Sequence, residues 1–154
     1  MTNYQELNLI SKSYFSNDKY EITVLSNASA LLNQYLEDVS WVGFYLFKDE
    51  KLILGPFQGL VACTEIPVGK GVCGKVAATK EVEIVPNVHE FPGHIACDSR
   101  SNSEIVLPIF LKGNFYGELD IDSTSFERFN EVDKVNLLEF VKNLQKDLER
   151  ILLN

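Results

Sequence analysis

Two segments near the C-terminus, residues 104–111 and 115–122, alternate apolar and polar residues with the period of two that is typical of β-strands. They predict a hairpin whose register is tightly constrained, because a slip of one residue turns every side chain to the opposite face. A three-residue loop at 112–114 places Leu107 opposite Leu119 and gives one wholly apolar face, whereas a two-residue loop mixes charge into that face. We therefore expect the three-residue loop, with its asparagine in the left-handed conformation.

The other face of this hairpin collects acidic residues, and its members are Glu104, Val106, Pro108, Phe110, Tyr116, Glu118, Asp120 and Asp122. In the expected register Glu104 lies across from Asp122. A solvated acidic surface is one interpretation, since strand surfaces are commonly polar. The other is that the carboxylates converge on a bound cation, and their repulsion then raises the pKa of at least one of them.

The remaining segments predict helices at both ends of the chain and short strands between them. Helical spacing is found in residues 4–14, in residues 18–36 with Asp18 as a candidate N-cap, and after a candidate N-cap at Asn130. The expected apolar stripes are Ile22, Leu25, Ala28, Leu32 and Leu36 in the second helix and Val135, Leu138, Val141, Leu144, Leu148 and Ile151 in the last. Strands are expected at 41–47, 51–54, 60–64 and 82–85, with a turn at 55–59 and a short helix opening from a glycine-rich turn at 69–74.

Composition limits the classes of function. A chain of 154 residues with 45% hydrophobic residues predicts a single domain over residues 1–154. Its net charge of −8 disfavours nucleic acids and anionic membranes as partners, because both gain affinity by neutralising negative charge. Since neither a membrane span nor a signal peptide is recognisable, we expect a cytoplasmic protein, in which three cysteines do not predict a disulfide framework.

Two segments match ligand-binding motifs only in part. Residues 69–74 read G-x-G-x-x-G, but they lack the full preceding strand and the acidic residue about 20 positions on that a dinucleotide site requires. His89, His94 and Cys97 could form a zinc site, but structural zinc sites usually contain close cysteine pairs, which this sequence lacks. We therefore predict neither a nucleotide nor a metal ion.

The segment from residue 86 to residue 103 shows almost no periodicity, and a loop of that length inside a domain is usually functional or disordered. Cys97 lies in this loop, three residues after His94, where its thiol would be exposed and partly ionised. Cys73, in the glycine-rich turn, is instead typical of a small buried apolar residue.

Several motifs occur in a fixed order, and they are Gly55-Pro56-Phe57-Gln58-Gly59 with Ala62-Cys63, Gly71-Val72-Cys73-Gly74, Phe91-Pro92-Gly93-His94-Ile95-Ala96-Cys97-Asp98, Ser103-Glu104-Ile105-Val106 and Leu119-Asp120-Ile121-Asp122-Ser123. Together they resemble the free methionine-(R)-sulfoxide reductases, a GAF-domain family. The resemblance extends from Trp41 to Ser123 and includes all three cysteines. Asn87 is one departure, because we expect this family to carry aspartate there more often.

The resemblance implies an α+β fold with a six-stranded antiparallel sheet, with N- and C-terminal helices on one face and a pocket on the other face, covered by residues 86–103. It implies that Cys97 is catalytic, that Cys63 resolves the oxidised Cys97 through a disulfide, and that Cys73 is a secondary resolving thiol. It also implies free methionine sulfoxide as substrate, no bound cofactor, thioredoxin as the external dithiol reductant, and a homodimer.

The acidic residues acquire roles from the chemistry of a sulfoxide, whose oxygen is a poor leaving group unless it is protonated. Glu104 suits the role of acid because neighbouring carboxylates would raise its pKa. Asp120 and Asp122 are then expected to hold the ammonium group of a free amino acid. Trp41 is either an apolar wall against the substrate methyl group or an ordinary core aromatic, and Tyr45 on the same strand face is a further candidate.

Two other classes of function are compatible with these residues. One is a non-catalytic GAF sensor that binds a small molecule, although such a pocket has no need of thiols on two separate segments. The other is a redox switch that uses Cys63 and Cys97 without a substrate. Thioredoxin-dependent consumption of free methionine sulfoxide would separate the three hypotheses.

Overall fold

The fold is α+β, and the computed structural model describes residues 1–95, 97 and 99–153. The helices are α1 (Tyr4–Ser11), α2 (Glu21–Tyr35), α3 (Gly71–Thr79) and α4 (Glu131–Leu153), with one 3-10 turn at Val88–Glu90. The strands are β1 (Trp41–Lys48), β2 (Lys51–Gln58), β3 (Glu65–Pro67), β4 (Glu83–Val85), β5 (Ser103–Leu111) and β6 (Asn114–Ser123). None of the described helices combines the length and the apolar character that a membrane span requires.

The six strands form one antiparallel sheet in the order β3-β2-β1-β6-β5-β4, which confirms the expected fold class. One face of the sheet packs against α1, α2 and α4, and this core contains Leu7, Leu25 and Phe140 from the helices. The opposite face packs against α3 through a second cluster that includes Trp41 and Val76. Helices therefore cover one face completely, and a single short helix leaves room for a pocket on the other.

The predicted register of the β5–β6 hairpin is correct where it matters for that pocket. Leu107 pairs with Leu119 and Glu104 pairs with Asp122, as the alternation of apolar residues requires. The predicted loop is wrong, because Leu111 pairs with Asn114 and leaves a two-residue turn. The turn residues Lys112 and Gly113, not Asn114, have positive φ angles of 47° and 83°.

A β-bulge reconciles the short turn with the predicted register. Ile109 pairs with Gly117 and the next residue, Phe110, pairs with Phe115, so Tyr116 is an extra residue in β6. The bulge exchanges the faces of its neighbours. Phe115 contacts Phe110 and packs with the pocket-side cluster, whereas Tyr116, expected on the acidic face, donates a hydrogen bond to Glu21 of α2 at 2.5 Å.

Three further expectations about the elements are wrong. Residues 60–64 form no strand, and the edge strand β3 begins one residue later, while the expected turn at 55–59 is largely part of β2. Asp18 caps no helix, since α2 has Tyr20 at its N-cap without a side-chain hydrogen bond. Ile22, assigned to the buried stripe of that helix, is 61% exposed.

The last helix begins as predicted, because the Asn130 side chain accepts hydrogen bonds from the backbone N–H groups of Val132 and Asp133. Val141, Leu144 and Leu148 of the expected seam are buried as predicted. The first part of the seam is wrong, because Leu137 and Phe140 are buried there while Val135 and Leu138 are 63% and 37% exposed. The expectation of a homodimer stays a prediction.

At Gly117, β6 approaches β1 too closely for a side chain. A Cβ atom there would overlap the carbonyl oxygen of Tyr45, which is backbone and cannot rotate away. We expect Gly117→Ala to lower the free energy of unfolding by about 1–3 kcal/mol or more, measured by denaturant unfolding. Asn114→Ala, at an exposed position of the same strand, should stay within about 0.5 kcal/mol of wild type. Equal stability of the two variants would contradict this close approach.

Candidate active site

Four acidic residues lie on the pocket side of the sheet, three at alternate positions of β6 and one on β5, and Glu104, Asp120 and Asp122 line the pocket and form its acidic floor. Glu118, Asp120 and Asp122 project from the same side of β6 because the side-chain period of a strand is two. Glu104 on β5 is the direct cross-strand partner of Asp122. Like charges in directly opposed positions are destabilising, so a sequence that places them there on a buried face sacrifices stability.

Burial decides between the two interpretations of this acidic face. Glu104, Asp120 and Glu118 are only 7%, 5% and 0% exposed, so the expectation of a solvated acidic surface is wrong. Burial, followed by repulsion from Asp120 and Asp122, raises the pKa of Glu104 well above its ordinary value. Burial also raises the pKa of Asp120, although a hydrogen bond from Glu104 opposes this shift. The hydrogen bond between the two carboxyl groups thus favours the protonated form of Glu104 and the ionised form of Asp120.

Glu118 lies beyond this floor and is the most deeply buried acid on the pocket side of the sheet. It pairs with Pro108 on one side and Tyr45 on the other, so its neighbours in the sheet supply no opposite charge. Neither carboxyl oxygen makes a well-formed hydrogen bond to a described residue. Burial raises the pKa of Glu118 well above its ordinary value, while the nearby Cys73 thiol and Lys80 lower it. The strand alternation predicts Glu118 on the acidic face but suggests no role for it.

Trp41 and Tyr45 form an aromatic wall that also holds the cysteine-bearing segment. Their rings stack at 6.0 Å between centroids, and both residues line the pocket. The Trp41 indole donates a hydrogen bond to the Leu60 carbonyl at 3.1 Å, and the Tyr45 hydroxyl donates one to the Cys63 carbonyl at 2.9 Å. The irregular segment after β2 is thus positioned by side chains of β1.

Cys63 and Cys97 form a disulfide between this segment and the loop that follows the 3-10 turn. The two residues are 34 positions apart in sequence, and their Cα atoms are 5.4 Å apart. Cys97 lines the same pocket as Glu104 and Asp120 and is half-buried. The motif residues Ala96 and Asp98 lie outside the described residues. The fold therefore brings a disulfide-bonded cysteine pair to the edge of an acidic cavity.

Cys73 lies in the first turn of α3 and is buried, as expected for a small apolar residue. Its Sγ atom is 3.9 Å from Oε2 of Glu104. Burial, followed by repulsion from Asp120 and Glu118, raises the pKa of the Cys73 thiol well above its ordinary value. Cys73, Glu104 and Asp120 offer ligand atoms within 4.8 Å of one another, a spacing that could hold a cation, while the expected absence of a metal stays a prediction.

The comparison with known proteins supports the resemblance in the motifs. The GAF domain profile matches residues 21–144. The chain is 48% identical to the free methionine-R-sulfoxide reductase of Escherichia coli, over 94% of this chain and 88% of that protein. The chain belongs to the free methionine-R-sulfoxide reductase family of GAF domains.

Solved structures of this family have the same fold. The fRMsr of Staphylococcus aureus in complex with substrate matches with a TM-score of 0.92 and 47% identity, over 96% of this chain and 97% of that chain. The free methionine-R-sulfoxide reductase from Neisseria meningitidis in complex with its substrate matches with a TM-score of 0.92 and 40% identity, over 96% and 89%.

The glycines of residues 69–74 have a packing role. This role explains why the segment resembles a nucleotide-binding motif in sequence. A Cβ on Gly74 would lie 2.6 Å from the carbonyl oxygen of Pro67, so the start of α3 approaches β3 too closely for any side chain. Gly71 has a positive φ of 66°. These requirements place the N-terminus of α3, together with Cys73, directly on the pocket.

The pocket also contains residues to which the sequence analysis assigned no pocket role. His94 lines it, and burial together with the nearby His89 lowers the His94 pKa. Lys70, Ser101 and Ile66 line it as well. Their signal in the sequence is weak, because each comes from a different loop or a short edge strand, where no periodicity relates one residue to another.

The raised pKa of Glu118 makes stability depend on pH. Because the folded-state pKa lies above the ordinary value of 4.5, this group stabilises the fold below about pH 4.5, and the contribution is lost as pH rises towards the folded-state pKa. Glu118→Gln should therefore gain stability over wild type as pH rises from about 5 to 8, by up to about 1.4 kcal/mol per pH unit.

Urea unfolding of both oxidised proteins at a series of pH values measures this difference. Glu139→Gln, an exposed substitution on α4, is the matched control and should follow wild type across the range. A stability difference between Glu118→Gln and wild type that does not change with pH would show that Glu118 is ionised in the folded protein.

Proposed function

We propose that this protein reduces free methionine (R)-sulfoxide to methionine by thiol chemistry at Cys97, with Cys63 as the resolving cysteine. The observation that carries the proposal is the Cys63–Cys97 disulfide at the edge of a pocket lined by Glu104, Asp120 and Asp122. The relatives named above act on free methionine sulfoxide according to their names, and the match extends over nearly the whole chain.

The proposed reaction has two steps that conserve atoms and electrons. The thiolate of Cys97 attacks the sulfoxide sulfur and forms a bond to it. The oxygen then takes up a proton and moves to the Cys97 sulfur, while the bonds from the methionine sulfur to oxygen and to Cys97 both break, so that methionine leaves and Cys97 remains as a sulfenic acid. The Cys63 thiol then attacks the sulfenic sulfur, and water leaves as the disulfide forms. The two electrons that reduce the sulfoxide thus come from two thiols that become one disulfide.

Glu104 supplies the proton that the departing oxygen needs. A carboxylic acid that remains protonated near neutral pH can donate in the attack step, and burial among like charges keeps Glu104 in that form. The sulfenic acid carries this proton away on its oxygen. Glu104 is then a carboxylate and must be reprotonated before the next turnover.

Asp120 and Asp122 hold the substrate's ammonium group. Asp120 is buried with one carboxyl oxygen that lacks a hydrogen-bond partner among the described residues, and a cation in the pocket would satisfy it. The substrate carboxylate needs the opposite charge. The first turn of α3, with Gly71 and Val72 on the pocket, and the neighbouring Lys70 side chain offer backbone N–H groups and a cation for it.

A dithiol protein of the thioredoxin type returns Cys63 and Cys97 to thiols by disulfide exchange, without a bound cofactor. Cys63 and Cys97 are both half-buried, so neither sulfur lies in the closed core of the protein. A sensor or a redox switch with the same pocket would not consume methionine sulfoxide. Thioredoxin-dependent formation of methionine is therefore the experiment that tests the proposal.

Substitution of Cys97 and substitution of Cys63 should affect methionine formation differently. Cys97→Ser should abolish methionine formation, because a hydroxyl group neither accepts the sulfoxide oxygen nor forms a disulfide. Cys63→Ser should form about one methionine per active site in a rapid-quench experiment and then stall, because the sulfenic acid is not resolved. Multiple turnovers by Cys97→Ser would contradict the assignment of the nucleophile. A full steady-state rate in Cys63→Ser would move the resolving role to Cys73.

The acidic floor should discriminate strongly against a substrate without a positive charge. N-acetylation of methionine sulfoxide removes the ammonium and preserves the sulfoxide, leaving buried carboxylates without their cation at a cost of about 3–5 kcal/mol. We expect kcat/KM to fall at least about a hundredfold. Asp120→Asn should raise KM for the free amino acid and reduce the ratio of kcat/KM between the free and the acetylated substrate.

Asp49→Asn, in the exposed β1–β2 turn, is the matched control and should keep the discrimination of wild type. Equal kcat/KM for the acetylated and free substrates would require that the ammonium-binding role of Asp120 and Asp122 be abandoned.

A further inference from the structure

Cys73, Glu104 and Asp120 bring three potential metal ligands together on the pocket. The Sγ atom of Cys73 and one carboxyl oxygen from each acid lie within 4.8 Å of one another. The distance from Sγ to Oε2 of Glu104 is 3.9 Å. In a tetrahedral zinc site, a sulfur ligand at about 2.3 Å and an oxygen ligand at about 2.0–2.2 Å are separated by about 3.6 Å. The sulfur and this carboxyl oxygen are therefore within a few tenths of an ångström of the spacing that zinc requires.

The three ligands belong to elements that hold them in place. Cys73 is in the first turn of α3, and the close approach of Gly74 to β3 fixes the position of that turn. Glu104 and Asp120 lie on the paired strands β5 and β6. All three side chains are buried and line the pocket. A set of ligands that is already assembled loses little conformational entropy when an ion binds, which favours binding.

An unsatisfied oxygen in this set independently indicates a ligand. Asp120 is only 5% exposed, and its Oδ1 atom makes no hydrogen bond to a described residue. An unsatisfied buried carboxyl oxygen is costly, and a cation bound among the acids removes this cost together with their mutual repulsion. The cavity beside Asp120 has a volume of about 50 Å³, which is sufficient for an ion and a water molecule as its fourth ligand.

The chemistry of the ligands determines the kind of cation. Mg²⁺ and Ca²⁺ prefer oxygen ligands and high coordination numbers, whereas a thiolate favours zinc and other softer cations. Three protein ligands with a fourth position open to a pocket are typical of a zinc site that is accessible to small molecules. The Cys73 thiol would bind as a thiolate, and its proton would pass to the solvent as the ion binds.

We propose that Cys73, Glu104 and Asp120 form a binding site for Zn²⁺ or a similar thiol-binding divalent cation, and that the bound ion excludes the substrate from the pocket. Exclusion follows because Glu104 is the proposed acid and Asp120 belongs to the proposed ammonium site, so one ion occupies both. The ion is an inhibitor and not a cofactor. The exclusion rests on the proposed function, whereas the metal site itself does not.

Titration of the oxidised protein with Zn²⁺ tests the site without interference from the other cysteines. Cys63 and Cys97 are disulfide-bonded in this form, so Cys73 carries the only thiol of the three cysteines. We expect isothermal titration calorimetry to give one ion per chain with a Kd of about 10 μM or below, accompanied by proton release to the buffer. Weaker binding, or equal affinity for Ca²⁺, would overturn the site.

Variants identify the residues that bind the ion. Cys73→Ser and Asp120→Asn should each weaken Zn²⁺ binding at least about a hundredfold, because loss of an outer partner of a metal ligand already costs about ten- to a hundredfold. His89→Gln is the matched control, since it removes an exposed histidine of the zinc site that the sequence suggested, and it should keep the wild-type Kd. Unchanged binding by Cys73→Ser, or loss of binding by His89→Gln, would overturn the proposal.

Co²⁺ gives a spectroscopic signature on the wild-type protein and needs no variant. A thiolate ligand produces a charge-transfer absorption in the near ultraviolet, and tetrahedral geometry produces intense visible bands. In the oxidised protein the charge-transfer absorption can come only from Cys73. We expect both features to appear with Co²⁺ and to disappear when Zn²⁺ is added. Co²⁺ binding without the charge-transfer absorption would show that the thiol is not a ligand and would contradict the proposed site.

Single-turnover reactions of the prereduced enzyme test the exclusion of the substrate. Zn²⁺ should raise the concentration of methionine sulfoxide that gives half the maximal rate, and saturating substrate should restore that rate. Reduced Cys63 and Cys97 are a second pair of thiols for zinc, so the same reaction is run with Cys73→Ser. This variant should need at least about a hundredfold more Zn²⁺ for equal inhibition. Inhibition of both proteins at the same Zn²⁺ concentration would overturn the exclusion.

Failure of this inference can be distinguished from failure of the proposed function. The Zn²⁺ titration uses the oxidised protein and requires no turnover, so it decides the metal site whether or not methionine sulfoxide is reduced. A protein that reduces methionine sulfoxide but does not bind Zn²⁺ overturns this inference alone. A protein that binds Zn²⁺ but does not reduce methionine sulfoxide overturns the proposed function and the exclusion, and leaves the metal site in place.

Discussion

The structure depends on the free energy required to place like charges in a dry environment. Three acids on β6 and one on β5 share the pocket face, and most of their surface is out of contact with water. Such a group can be tolerated only if some of its members stay neutral or if a cation is bound among them. Both solutions have chemical value here, since a neutral carboxyl can donate a proton and an ionised pair can select a substrate by its charge.

The sheet makes this arrangement possible because its two central strands carry different cores on their two faces. β6 lies between β1 and β5, so its backbone is hydrogen-bonded on both sides. The helix-covered face supplies the bulk of the apolar core, which includes Leu119 and Ile121 from the same strand. The stabilising and the functional residues of β6 thus alternate along one backbone, and the large apolar face offsets the cost of the acidic one.

The sequence was sufficient to predict the features that obey a period. The apolar pairing of Leu107 with Leu119 predicts the register, and that register places Glu104 opposite Asp122, as found in the structure. The bulge at Tyr116 could not be foreseen, because an extra residue near a turn changes the loop length without changing the pairing beyond it.

Features that depend on contacts between distant segments were harder to predict from the sequence. The segment 60–64 resembles a strand in composition, but side chains of β1 hold it as an irregular loop. The meeting of Cys63 and Cys97 followed only from the family resemblance, since no local pattern relates residues 34 positions apart. Glu118 was visible on the acidic face, yet its isolation from hydrogen-bonding partners is a property of the packed interior.

The disulfide also links the proposed reaction to the folding equilibrium. A cross-link that closes a segment of this length restricts the unfolded chain and is worth about 3–4 kcal/mol in the loop-entropy description. By the closed thermodynamic cycle, the folded chain favours the oxidised over the reduced cysteine pair by the same amount, relative to the unfolded chain. In the proposed reaction each turnover therefore alternates between a more and a less stable protein, and the reductant must supply the free energy that folding contributes to the cross-link.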